Sequence, residues 1–102
     1  MHISEFTYEL IQPLVGTTFQ MTAKDGQSYP LKLVEVLKIM DQHVDTRLTR
    51  DTFSMHFLGP QEPYIPQATY SMTHETLGGP HLIFIVPISK GKDGYMYEAV
   101  FN

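Results

Sequence analysis

Five histidines and a few hydroxyl side chains are the residues best suited to chemistry in this chain of 102 residues. His74 and His81 flank a Leu77-Gly78-Gly79-Pro80 turn symmetrically, so a hairpin there would make them cross-strand neighbours. With nearby acids they are the weak candidates for a metal-binding or small hydrolase-like centre. A zinc site needs three or four convergent ligands, and no third one accompanies them. The expectation is therefore no metal, with His74 hydrogen-bonded in the core and His56 and His81 solvated. Ser54 and His56 share one strand face, with β-carbons about 7 Å apart. No orienting carboxylate is indicated for them, which leaves the triad logic incomplete. None of the serines lies in a G-x-S-x-G elbow, and no phosphate-binding glycine loop occurs. Asp41, His43 and Asp45 alternate as in an acidic calcium loop. Thr46 and Thr52 stand where that loop needs Gly and Glu, so a solvated cluster paired with Arg47 and Arg50 is the better reading.

Charge and composition narrow the choice further. Seven Lys and Arg oppose eleven Asp and Glu, and the basic residues are scattered. No stripe of them could follow a phosphate backbone, so nucleic acid is not an expected partner. The absence of cysteine excludes disulfides and thiolate metal sites. The start, MHISEF, lacks the apolar core of a secretory signal, and no apolar run reaches membrane-span length. A cytoplasmic protein with no membrane association and no cofactor is expected.

Any site must be positioned by strands. Phe6, Leu10 and Leu14 lie four apart, which predicts a short N-terminal helix capped by Ser4 and ended near Ile11 or Gln12 by Pro13. From Thr17 the period becomes two, with Phe19, Met21 and Ala23 on one face. Lys24-Asp25-Gly26-Gln27 turns into a second strand over 28–40, whose phase slips near Leu33-Val34 as a β-bulge would require. Pro30 belongs at an edge or before pairing begins. Residues 41–50 read as a solvated connection. A third strand over 51–58 places Phe53, Met55 and Phe57 inward. A fourth over 67–75 alternates Ala68, Tyr70, Met72 and His74 with threonines and a serine. The fifth, 81–89, is apolar on both faces, with Leu82, Phe84, Val86 and Ile88 on one and Ile83 and Ile85 on the other. Pro87 marks a bulge in it. The sixth is the ending DGYMYEAVFN, Asp93 to Asn102.

Six strands joined mostly by hairpins predict a mainly β single domain, residues 1–102: an antiparallel meander forming a small barrel or roll. Pairing of strands one and six would close the barrel; the rival is an open edge at strand six that pairs with another subunit. A six-stranded barrel filled by aromatic side chains leaves no room for a small-molecule ligand, for which about eight strands are needed. Tyr64, Ile65, Ile83, Ile85 and Val100 fall outside the best inward phase and are the candidate contact residues.

Several stretches resemble a known family. PLVGTTFQM (13–21), YPLKLVEV (29–36), FSMHFLGP (53–60), QATYSMTHETLG (67–78), IFIVPIS (83–89) and the final YEAVFN (97–102) look like small bacterial proteins known only as a domain of unknown function. The resemblance covers nearly the whole chain in order, departing at Ala68, where the family usually has Gly. It implies a complete single bacterial domain and transfers no catalytic or binding residue. It also implies genes near tail-fibre or tail-collar genes, and hence a structural or phage-derived assembly role.

The expected function is a non-enzymatic protein-interaction or assembly module. It would engage a protein partner or a second copy through an exposed sheet edge or the Ile83/Ile85 face, and assembly into a particle fits that reading. The alternative is the small hydrolase-like or metal-binding protein using His74 and His81.

Overall fold

The computed structural model describes residues 2–39 and 52–101. The charged 41–50 connection and its Asp41/His43/Asp45 cluster lie outside them, as do the predicted end of strand two and start of strand three. The described chain is a closed six-stranded antiparallel barrel with one short helix on its N-terminal side. The strands are β1 Thr18–Thr22, β2 Ser28–Lys38, β3 Phe53–Leu58, β4 Ala68–His74, β5 Gly78–Gly91 and β6 Gly94–Phe101.

Their order around the barrel is β1-β2-β3-β6-β5-β4. Two three-stranded meanders are thus joined along two seams. One seam pairs β1 with β4, Met21 opposite Met72. The other pairs β3 with β6 over six positions, from Phe53 opposite Phe101 to Leu58 opposite Met96. The closing partner of β6 is therefore β3, not β1, and the connection from β3 to β4 crosses the barrel end instead of forming a hairpin. Each of the six strands has two neighbours, so none of them offers the open edge that strand six could have supplied.

Two predicted bulges are present. Leu33 pairs with Phe57 and Glu35 with His56, which leaves Val34 as the extra residue. That insertion turns both Leu33 and Val36 inward, although they are three apart and strict alternation would separate them. In β5, Pro87 pairs with Tyr97 and Ser89 with Met96, so Ile88 is extra. Pro30 faces Gln20 of β1, and pairing with β3 begins two residues later at Lys32.

The interior is filled. Phe19 meets Phe57 edge-on at 5.3 Å, and Met21, Leu31, Leu33, Met55, Met72 and Tyr97 are fully enclosed. Each end of the barrel is plugged. At one end Phe6 packs against His81 and Phe101, and Ile11 is buried with it. At the other, Ile65 of the β3–β4 connection is buried near Tyr97.

The N-terminal helix is shorter than the spacing predicts. α1 spans Tyr8–Ile11, capped by Thr7, whose side chain accepts from Leu10 N–H, and 3-10 turns flank it on either side. Phe6 precedes the helix in extended backbone, so the buried pair is Phe6 and Ile11 while Leu10 and Leu14 are only partly covered. Lys38 of β2 ties the segment down through Glu9, at 3.5 Å, and the Tyr8 ring.

Candidate functional site

The predicted contact face on β5 is inverted. Ile83 and Ile85 are 1 % and 0 % exposed, and Ile65 is also buried. The pairing with β4 sets this phase. Ala68 faces Ile85, Tyr70 faces Ile83 and Met72 faces His81, all pointing into the barrel, while Ser71 and Thr69 stand opposite Leu82 and Phe84 on the outside. A strand apolar on both faces carries no alternation signal of its own, so its neighbours choose. His81 follows the same inward phase and is buried, contrary to the expectation that it is solvated.

The outward apolar residues are thus Leu82, 68 % exposed, Phe84, 51 %, and Val100 of β6, 50 %. Ile88 on β5 and Leu37 on β2 are exposed as well. Leu37 pairs with Ser54, and Ser54 with Val100, so a small side chain sits between two large apolar ones. Leu37 on β2 stands three strands away, across the closed barrel from β5, so the apolar wall is Leu82 and Phe84 of β5 with Val100 of the adjacent β6. A clustered patch of that kind marks a contact surface more strongly than scattered single residues do. Of the predicted contact residues, Val100 belongs to the wall and Tyr64 is exposed elsewhere.

His74 and His81 are brought to the same turn, but their nitrogens serve the backbone. Nδ1 of His74 accepts from Thr76 N–H at 3.0 Å and Leu77 N–H at 3.4 Å. The proton therefore sits on Nε2, which donates to Thr17 Oγ1 at 2.8 Å, and that hydroxyl donates to Leu14 carbonyl at 2.6 Å. His81 Nε2 donates to Leu77 carbonyl at 2.9 Å. The two rings pin both polar groups of Leu77 and leave His74 no lone pair for a cation. Among the described residues no three His, Asp or Glu side chains are placed to hold a metal.

Burial holds the His74 imidazole below its ordinary value of 6.5, with Glu75 partly offsetting the shift. The sign follows directly. Above 6.5 the ring is neutral in folded and unfolded chains alike. Below it the unfolded ring takes up a proton first, so stability falls as pH drops from 6.5 toward the lower folded value. We expect the urea midpoint of the native chain to decline more steeply from pH 7 to 5 than that of His74→Asn, which keeps an acceptor near Nδ1 but does not titrate. Parallel profiles would contradict this.

His56 is not solvated either. It stands in a cross-strand row with Glu35 on β2 and Glu98 on β6. Nε2 lies 2.8 Å from Glu98 Oε2, and Nδ1 lies 4.0 Å from Glu35 Oε2. The carboxylate that local sequence did not indicate arrives from a strand more than forty positions away. It orients the ring, yet no hydrogen bond joins Ser54 to His56 among the described residues, so the row is a hydrogen-bonded link without a nucleophile.

A groove of about 380 Å³ opens at the end of the barrel plugged by Ile65. Tyr29, Tyr64, Tyr70, Pro63 and Pro66 line it, and Lys24 and Asp25 belong to its rim. Tyr70 hydroxyl donates to Pro66 carbonyl at 2.6 Å, and Tyr97 hydroxyl accepts from Ile65 N–H at 2.9 Å. Desolvation raises both phenols above their ordinary value of 10.0, for Tyr97 against the lowering effect of the Ile65 bond, so both are neutral. The predicted contact residues Tyr64 and Ile65 meet here, the first as wall and the second as floor. The other lining residues come from the β1–β2 turn, the start of β2, the β3–β4 connection and β4, and the β1–β4 seam brings the two halves together.

No helix among the described residues is long and apolar enough to cross a membrane. A family model described as Domain of unknown function (DUF6916) matches residues 6–101. No curated protein and no solved structure matches the chain.

Proposed function

Since the chain belongs to the DUF6916 family, whose function is unknown, we propose from its surface that it is a non-enzymatic protein-interaction or assembly module. The observation that carries this reading is the outward apolar wall of Leu82 and Phe84 on β5 and Val100 on the adjacent β6. The commitment of the His74 and His81 rings to a backbone turn supports the non-enzymatic part.

The occupant that suits the wall is a second copy of the chain. Its apolar side chains carry no charge to complement, and the adjacent Glu35–His56–Glu98 row is already paired within the barrel. A two-fold dimer would bring the same patch of each copy together, apolar against apolar. A bacterial setting, with incorporation into a phage-derived particle, rests on the likeness of the YEAVFN ending and the stretches before it.

Sedimentation equilibrium over a wide concentration range tests the reading. The native chain should self-associate, and Phe84→Lys should weaken association about tenfold or more, the effect expected of one central contact residue worth at least ~1.4 kcal/mol. A native chain that stays monomeric throughout would sink it.

A further inference from the structure

We propose that the tyrosine- and proline-lined groove binds an extended, proline-rich segment of a partner protein, with an acidic residue of that segment lying against Lys24. The site is separate from the β5–β6 wall and does not depend on self-association. Its walls are flat and stiff. Tyr29, Tyr64 and Tyr70 present rings, and Pro63 and Pro66 present pyrrolidines. A polyproline II segment docks well on such aromatic surfaces, because its rings pack between flat side chains and its shape is fixed before binding.

Strand addition is not open to a ligand here. Pro63 and Pro66 have no N–H, Ile65 N–H is taken by Tyr97, and Pro66 carbonyl is taken by Tyr70. The 63–66 segment therefore has no ladder to extend. What the groove does offer is donors. The Tyr64 hydroxyl and the Lys24 ammonium have no hydrogen-bond or ion-pair partner among the described residues. A polyproline II backbone carries only unpaired carbonyl acceptors, which match the Tyr64 hydroxyl. Lys24 is the one cation lining the groove among the described residues and can ion-pair with a carboxylate of the ligand, while Asp25 beside it is turned to its own loop through Gln27 N–H.

Isotope-labelled full chain, titrated with an acetylated octaproline and with the same peptide preceded by Glu, tests this by amide chemical shifts. Saturable shifts should cluster at 23–29 and 63–70, and the Glu peptide should bind more tightly. Tyr64→Ala, an exposed position, should weaken binding of both peptides about tenfold, equivalent to ~1.4 kcal/mol. Lys24→Ala should abolish the preference for the Glu peptide while leaving octaproline affinity unchanged. The proposal is overturned by shifts that never saturate, by shifts centred on Leu82 and Phe84, or by equal binding of a Glu-led Gly-Ser peptide. Because none of these outcomes alters sedimentation of the free chain, failure here is distinguishable from failure of the wall.

Discussion

Gly94→Ala is expected to cost roughly 3 kcal/mol or more of folding stability, from left-handed backbone strain and overpacking together. Gly94 has φ of +144°, and a β-carbon there would stand 2.0 Å from the Gly59 carbonyl oxygen. Gly59 cannot withdraw. Its N–H donates to Tyr95 carbonyl at 2.9 Å, and the space where a β-carbon of Gly59 would stand is filled by the Tyr97 and Leu31 side chains. At this point the β3–β4 connection and the start of β6 touch backbone to backbone, so relief requires opening the β3–β6 seam. Gly26→Ala is the companion measurement. Gly26 has φ of +85° with open space around it, so it should lose only about 1–2 kcal/mol from the conformation itself. Urea unfolding of both variants, extrapolated linearly, gives the comparison. Equal losses would show that the close approach at Gly59 carries no energy.

Tyr97 should show the second large effect. Its ring is fully enclosed, and its hydroxyl is the partner of the buried Ile65 N–H. Tyr97→Ala is expected to cost about 3–5 kcal/mol by opening a cavity at the plugged end. Tyr97→Phe restores the volume but strands the Ile65 amide, which leaves a deficit of about 1–3 kcal/mol. Thermal and urea unfolding of the pair separates packing from the hydrogen bond, and the Phe variant should shift the Ile65 amide resonance most. A Phe variant as stable as the native chain would mean that the amide finds another acceptor.

What the sequence reveals of this barrel depends on how local the signal is. The bulge at Val34 is readable because Leu33 and Val36 break the alternation within one strand. His74 is readable as a core residue because its strand alternates with threonines and a serine. β5 is not, since Ile83, Ile85, Leu82 and Phe84 are equally apolar and only the register against β4 decides which pair is buried. Closure was foreseeable in kind but not in partner, because the choice of β3 for β6 is made by packing between distant segments. The same distance hides the carboxylates around His56 and the groove around Tyr64. Each is assembled from residues that only a seam brings within reach, and no spacing along the chain records a seam.

Those seams also bear on how the molecule comes into being. Hairpins can secure each three-stranded meander, but closure cannot begin until Phe53 finds Phe101 and Met21 finds Met72, far along the chain. Proteins dominated by such non-local pairings fold in milliseconds to seconds rather than microseconds. During synthesis the β1-β2-β3 meander and the β4-β5 hairpin can pair early, but the gap between β3 and β5 stays open until β6 leaves the ribosome. In that interval β3 and β5 each keep one partner, β2 and β4, and present one unpaired edge, the feature through which a chain can pair with another copy.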